Sequence, residues 1–183
     1  FYTDVVGIPV AVVGALLFGV RIFDAVTDPA IGLLSDRTHT RFGRRRPYIA
    51  VGSVFVAAAL VFLFVPPQSL GTAAATTWFA VFIFVLFFFW TVVVVPFESM
   101  GPEISLDYNE RTSLFGIRDG MLIAGTLAAA SSPALTQAVF GLSDDPAGER
   151  EKFFWISVLY APLLVGACLW CVLQIRPRFY TPS

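Results

Sequence analysis

Apolar residues form five long runs along the chain, separated by short polar breaks. We place the runs at about residues 6–34, 48–66, 73–100, 111–140 and 153–175. A helix needs about 20 mostly apolar residues to cross the hydrocarbon core of a bilayer, and each run is about that long. The pattern predicts an all-α fold, a polytopic membrane helical bundle of five spans that forms a single unit over residues 1–183.

The breaks between the runs differ in charge, and this difference predicts an orientation. Lys and Arg outside the spans fall on two alternating sides, eight against two. The eight are Arg37, Arg41, Arg44, Arg45, Arg46, Arg111, Arg176 and Arg178, and the two are Arg150 and Lys152. Because basic residues near span ends stay on the cytoplasmic side, we expect the Arg37–Arg46 loop and the C-terminus to be cytoplasmic.

Composition supports the membrane assignment. The chain is 57% hydrophobic and has a mean hydropathy of +0.77, far above an ordinary soluble domain. We therefore expect a multi-pass protein of the plasma membrane whose surroundings are the lipid bilayer, with no nucleic-acid partner. No basic segment with a short apolar core precedes the first run, so we expect no signal peptide.

The first apolar run contains three charged residues, Arg21, Asp24 and Asp28. Spacings of three and four residues place them in one stripe on a helix. A charge at the centre of a membrane helix costs about 2.5–3.5 kcal/mol, so this stripe must face protein or water. We interpret it as a functional site, and structural ion pairs that hold helices together remain the alternative.

Three further polar residues lie inside the later runs. Thr91 and Glu98 are seven residues apart on the third run and share a helix face, and Arg118 lies in the fourth run. The predicted topology places Glu98 and Arg118 in the same half of the membrane as the charged stripe. We therefore expect these groups to meet the stripe in one cluster.

The charges of that expected cluster do not cancel. Three carboxylates and two arginines leave one negative charge, which one monovalent cation or one proton would neutralise. Carboxylate and hydroxyl oxygens suit a hard ion, so Asp24, Asp28 and Thr91 are the expected ligands if the ion is sodium. The same carboxylates, removed from water, would also hold a proton.

Other sequence features point to no further chemistry. Cys168 and Cys171 lie in the last apolar run, where packing is the better interpretation of a CxxC spacing. The sequence has no nucleophile with a base, no phosphate-binding glycine loop and no metal-ligand cluster. We expect neither an enzyme nor a cofactor beyond a coupling ion.

The segment from Asp24 to Pro47 carries a family resemblance, in the pattern DxxxDPxxGxxSDRTxTRFGRRRP. It resembles the second helix and following loop of the glycoside-pentoside-hexuronide cation symporters, the melibiose permease-like branch of the major facilitator superfamily. Residues 103–112, EISLDYNERT, are similar to a later loop of that family. The resemblance implies helices two to six of the N-terminal half, so we expect the first helix and the C-terminal half to lie outside these residues.

The resemblance also implies site residues, since these positions match the family's motifs. The implied cation ligands are Asp24, Asp28, Thr91 and Thr27, the last in place of an asparagine. The implied solute-binding residues are Arg21, Asp24, Asp28, Trp90, Val94, Glu98 and Arg118. Val94 stands where melibiose permease has a sugar-site aspartate, and Glu98, one turn further on, is the suggested substitute.

The basic loop resembles the superfamily's signature loop, which is understood to brace the inward gate. The matching residues are Gly32, Asp36, Arg37, Gly43 and Arg44, with Asp36 as the expected acidic partner of Arg37 and Arg44. A simpler interpretation is a topology signal that attracts anionic lipid.

The resemblance implies secondary active transport, in which sodium or a proton is coupled to a sugar or glycoside by alternating access. Two alternatives remain open. The solute could be a lysophospholipid or another small molecule, or the protein could be a non-transporting membrane scaffold or sensor.

Overall fold

The computed structural model describes residues 1–38, 40, 43–104, 107–143 and 145–174. These residues form five helices, α1 (Val10–Arg37), α2 (Arg46–Phe64), α3 (Thr72–Ile104), α4 (Tyr108–Phe140) and α5 (Pro146–Gln174). All five are long and apolar enough to cross a membrane. The predicted all-α bundle is confirmed. Arg41, Arg176, Arg178 and the C-terminus lie outside the described residues, as does the side chain of Arg111.

The first helix begins four residues later than the pattern predicts. Gly7 has a φ of +83°, a left-handed conformation that a helix cannot contain, and Pro9 occupies the N-cap position. Residues 1–9 instead fold back as a capping segment, in which the N–H of Ile8 donates to the C=O of Tyr2 at 3.0 Å. The Tyr2 hydroxyl donates to the C=O of Leu63 at the end of α2. The segment thus ties the start of α1 to α2.

The fifth helix begins seven residues before the predicted span. Asp145 accepts hydrogen bonds at 2.7 Å from both the N–H of Gly148 and the hydroxyl of Ser143. The bond from Gly148 satisfies an N–H group at the start of α5. Both bonds hold the pKa of Asp145 below its usual value. The acidic and basic residues 149–152 therefore belong to the first turns of α5 and not to a loop.

Helix α3 is the centre of the bundle, since it packs against α1, α2 and more lightly α4. Helix α2 also packs closely on α5, whereas α4 makes only slight contacts with α3 and α5. Phenylalanines of the third run fill these interfaces. Phe55 of α2 stacks on Phe89 of α3 with ring centroids 4.5 Å apart, and Phe79 is buried beside Tyr2. The phenylalanines of the third run therefore lie in the core as well as on the surface.

Close approach of α2 and α3 depends on Gly52. A Cβ atom at this position would lie 2.7 Å from Cγ2 of Val93 and 3.1 Å from Cγ1 of Val92. Real Cβ atoms do not tolerate the shorter distance, so any side chain here forces the helices apart.

Aromatic residues mark one end of the bundle, opposite the arginine loop. The Trp78 indole N–H donates to the C=O of Phe62 at 2.8 Å. Trp155 stacks on Phe140 with ring centroids 4.9 Å apart. Both tryptophans lie in the first turns of their helices, α3 and α5, and the ends of spanning helices are where tryptophan is enriched.

We expect Gly52→Leu to lower the free energy of unfolding by about 1–3 kcal/mol, because the added side chain overpacks the α2–α3 interface. Chemical unfolding of the full-length protein in detergent measures this change. Gly14→Leu on α1 is the matched control, since a Cβ there meets no atom within 4 Å. Equal effects of the two substitutions would contradict the role assigned to Gly52.

Candidate functional site

The candidate site forms where α1 and α3 lie side by side and run in the same direction. Nearer the start of both helices, a Cβ at Gly19 would lie 3.4 Å from Phe84. Further along, a Cβ at Gly32 would lie 3.7 Å from Val95. Side chains of α3 therefore pack directly on these glycines of α1 over several turns, and the charged stripe falls between these contacts.

A hydrogen bond across this interface joins Asp28 to Thr91. The Thr91 hydroxyl donates to Oδ1 of Asp28 at 2.9 Å. Thr91 is buried, with 4% of its surface exposed, whereas Asp28 is exposed. One carboxylate oxygen of Asp28 is thus fixed to α3, and the other remains accessible.

Asp24, near the middle of α1, is incompletely neutralised. Its Oδ2 lies 3.5 Å from Nη1 of Arg21, the outer limit of a hydrogen bond. Its Oδ1 is buried and has no hydrogen-bond partner in the described part of the chain. The Asp24 side chain is 16% exposed, whereas that of Arg21 is 71% exposed. A buried carboxylate oxygen without a partner is costly, so it favours the approach of a hydrogen-bond donor or a positive charge.

Arg21 is held by an aromatic ring as well as by Asp24. Its guanidinium carbon lies 5.1 Å from the ring centroid of Phe87, one turn before Thr91 on α3. Phe87 therefore extends the site, although an aromatic residue within an apolar run gives no sequence signal of this role.

Thr27 points along its own helix. Its hydroxyl donates to the C=O of Phe23 at 3.1 Å, with the C=O of Asp24 at 3.4 Å. This arrangement uses the hydroxyl proton within α1 and leaves the Thr27 oxygen able to accept a further bond.

A second charged group lies between α3 and α4. Arg118 donates to Glu98 at 3.0 Å and has Asp119 3.6 Å from its Nε. Within the described residues, no hydrogen bond or ion pair joins this group to the stripe on α1. The expectation of one cluster is therefore corrected to two groups, each of which carries two carboxylates, one arginine and a net negative charge.

Trp90 and Val94 lie on α3 between the two groups. Trp90 is 49% exposed, and Val94 is half-buried one turn further on. Glu98 follows after another turn, so the three side chains follow one side of α3. An exposed tryptophan two turns from a hydrogen-bonding ion pair on the same side of a helix is an arrangement that can bind a polar solute with an apolar face.

The loop after α1 forms an ion pair that sequence reasoning assigned to the wrong arginine. Asp36 lies 2.7 Å from Nη2 of Arg45, whose side chain is 9% exposed. Arg37 and Arg44, the predicted partners, are exposed and make contacts of their own. Which arginine of a triplet turns inward depends on where α2 begins, and Arg45 is its N-cap residue.

Arg45 also reaches α3, where its Nη1 donates to the C=O of Ser99 at 2.5 Å. Gly43 has a φ of +99°, a left-handed conformation in which a residue with a side chain would be strained. The Thr40 hydroxyl donates to the C=O of Gly43. Arg45, at the start of α2, thereby links the C-terminal ends of α1 and α3.

Comparison with known proteins gives a consistent result. Residues 1–182 match the family described as MFS/sugar transport protein. An uncharacterized symporter, sll1374, from Synechocystis sp. is 34% identical over 187 residues, which cover 100% of this chain and 34% of the relative. The isoprimeverose transporter of Lactiplantibacillus pentosus is 36% identical over 129 residues, covering 70% and 26% of the two chains.

A more distant relative is the sodium-dependent lysophosphatidylcholine symporter 1 of Xenopus tropicalis. It is 26% identical over 153 residues, which cover 83% of this chain and 28% of the relative. The chain spans about a third or less of the length of these curated relatives.

A double-mutant cycle of Arg45→Met and Asp36→Asn should give a coupling energy of about 0.5–3 kcal/mol in the stability of the full-length protein. We expect the lower half of this range, because Asp36 is 54% exposed and water screens the pair. Chemical unfolding in detergent measures it. Arg46→Met replaces Arg45→Met in the control cycle, where the coupling should be near zero. Equal coupling in both cycles would refute a specific ion pair between Arg45 and Asp36.

Proposed function

The chain belongs to the MFS/sugar transport protein family, and from this premise we propose that it forms helices two to six of a cation-coupled sugar or glycoside symporter. The observation that carries the proposal is the buried Oδ1 of Asp24, which has no hydrogen-bond partner among the described residues. In a protein that uses a cation gradient, this oxygen is where the coupling ion binds.

The charge of the α1 stripe supports a single monovalent cation or proton. Asp24 and Asp28 together carry two negative charges, and Arg21 supplies one positive charge from an exposed position. Leaving the second carboxylate uncompensated at mid-membrane depth is unfavourable. Binding one positive charge neutralises the stripe, so the site itself provides the free energy for capturing the ion.

The donor atoms suit a hard cation. Asp24 and Asp28 offer carboxylate oxygens one turn apart, and Thr91 brings a hydroxyl oxygen to Asp28 from α3. Thr27, the residue before Asp28, offers a further hydroxyl oxygen on the same helix. Oxygen ligands of this kind fit sodium, and the same carboxylates can hold a proton instead. The sodium-dependent relative favours sodium as the first ion to test.

Coupling follows from the position of the cation site beside the proposed solute site. Asp28 and Thr91 join α1 to α3, and the next turns of α3 carry Trp90, Val94 and Glu98. A cation that draws Asp24 and Asp28 together fixes the face of α3 on which the solute would rest. The cation then favours the solute-binding state by its differential affinity, which is the thermodynamic requirement for coupling.

In the solute site, Trp90 would stack on a sugar ring while Glu98 and Arg118 bind its hydroxyl groups. Alternating access would carry the loaded site from one side of the membrane to the other. We also propose that the protein lies in the plasma membrane with the Arg37–Arg46 loop in the cytoplasm, because that orientation places the arginines inside.

A lysophospholipid is the second candidate solute, since one relative is a lysophosphatidylcholine symporter. The same ionic groups could bind a charged headgroup, and Val94 would leave an apolar surface beside Trp90. Both candidates use the same cation site, and they differ only in the solute that is transported.

Replacing Asp24 by Asn in the full-length protein should abolish cation-stimulated solute uptake, because the substitution removes the unneutralised charge. Uptake of labelled solute into vesicles, with sodium replaced by choline or with the pH gradient collapsed, measures the effect and identifies the ion. Cation-dependent thermal stabilisation of purified protein should disappear in parallel.

Asp4→Asn is the matched control for this substitution, since Asp4 lies before α1 and its side chain is 86% exposed. This variant should retain the full cation response. A normal cation response in Asp24→Asn would refute the site, and loss of the response in both variants would show that it reflects general damage.

Competition assays separate the two candidate solutes. We expect a panel of glycosides to inhibit uptake in wild-type protein and to lose potency by about tenfold or more in Arg118→Ala, because a charged hydrogen-bond donor to the solute is lost. Lysophosphatidylcholine should inhibit weakly. Strong inhibition by lysophosphatidylcholine without inhibition by any glycoside would select the second candidate.

A further inference from the structure

A cavity of about 320 Å³ opens between the end of α2 and the beginning of α5, far from the charged stripe. Both chain segments reach the end of the bundle opposite the arginine loop. The residues that line it include apolar and charged side chains, among them Phe64, Pro66, Gln68, Arg150, Glu151 and Phe154. The proposed transport mechanism uses none of these residues.

Arg150 is the first notable group in this cavity. It is half-buried, yet within the described residues it forms no ion pair and no hydrogen bond. The neighbouring Lys152 is buried too, but it pairs with Glu149 at 2.8 Å. A cation partly removed from water and left without a counter-ion favours the binding of an anion.

Glu151 supplies the opposite charge on the same cavity. It is exposed, and its Oε1 accepts a 3.4 Å hydrogen bond from the indole N–H of Trp155, which leaves the second oxygen available. Glu151 and Arg150 do not pair with each other in the part of the chain that the structure describes. A separate cation and anion around one cavity complement a ligand that carries both charges.

The position of the cavity indicates what kind of ligand this is. Trp155 adjoins the cavity and belongs to the aromatic residues that mark the membrane surface at this end. Phe154, 39% exposed, and Phe64 provide an apolar wall beneath the charged groups. A zwitterionic phospholipid has two opposite charges in its headgroup and an apolar part below them, so it complements this arrangement.

We propose that this cavity binds a phospholipid headgroup that contains a phosphate and a primary ammonium, in the leaflet opposite the arginine loop. Arg150 pairs with the phosphate. Glu151 and the side-chain oxygen of Gln68 accept hydrogen bonds from the ammonium, and the glycerol and first methylenes lie against Phe64 and Phe154. The primary ammonium distinguishes this lipid from one with a quaternary ammonium, which cannot donate hydrogen bonds.

Native mass spectrometry of the full-length protein with added phosphatidylethanolamine, phosphatidylcholine or phosphatidylglycerol tests the proposal. Wild-type protein should retain phosphatidylethanolamine best. Arg150→Ala should weaken its binding by about fivefold, the effect of one basic side chain at a membrane surface. Arg150→Lys should restore most of the binding because it keeps the charge.

Glu151→Gln provides the decisive comparison between lipids. It should weaken the binding of phosphatidylethanolamine, whose ammonium loses its partner. It should strengthen the binding of phosphatidylglycerol, which no longer meets a negative charge. Asp4→Asn, an exposed acid-to-amide change outside the cavity, should alter neither. Each variant is compared only after its melting temperature in detergent matches that of wild-type protein, and Arg150→Lys with Glu151→Gln suffice should Arg150→Ala not purify.

Three results would overturn the proposal. Unchanged phosphatidylethanolamine binding in both Arg150→Ala and Glu151→Gln would show that the cavity is not the site. Stronger phosphatidylethanolamine binding in Glu151→Gln would mean that the cavity recognises an anion alone. A lipid-independent dimer lost in Arg150→Ala would identify the occupant as a second copy of the protein.

Discussion

The apolar helix α1 carries two carboxylates, Asp24 and Asp28, which the surrounding structure has to accommodate. Such groups are tolerated within a membrane only where protein atoms, water or an ion compensate them. Thr91 compensates one oxygen of Asp28, and Arg21 partly compensates Asp24. One oxygen of Asp24 remains buried without a partner among the described residues. This uncompensated charge opposes burial, and it is the reason why we propose that the site binds a cation or a proton.

Close packing of α1 on α3 determines which partners the carboxylates can reach. Gly19 and Gly32 let the helices approach on both sides of the charged stripe, so Asp28 lies level with Thr91. At the end of the same interface, Arg45 bonds to Asp36 and to a carbonyl of α3. The helix pair is thus fixed along its length by small residues and at its end by charge. A change in either would shift the register on which the site depends.

The sequence was sufficient to predict five spans and the charged stripe, because apolar length and buried charge are local signals. The contact of Asp28 with Thr91 agrees with the predicted set, although its role in cation binding stays a prediction. The helix starts were displaced because capping by Asp145 and the left-handed Gly7 decide them. Arg45 was missed because the rotation of α2 selects one arginine among three. Asp119 was missed although an acid beside Arg118 was a readable signal.

Charged residues are distributed unequally among the helices. Some interfaces are packed by uncharged side chains, and others hold the ion pairs. Between the membrane surfaces, α2 carries no charged residue after Arg46 and α5 carries none after Lys152. Helices α2 and α5 pack closely on each other without charged side chains over these segments. The charged groups lie instead where α3 meets α1 and α4, with Thr91 bonded to Asp28 and Glu98 bonded to Arg118. Helix α3 therefore takes part in both the apolar packing and the polar contacts.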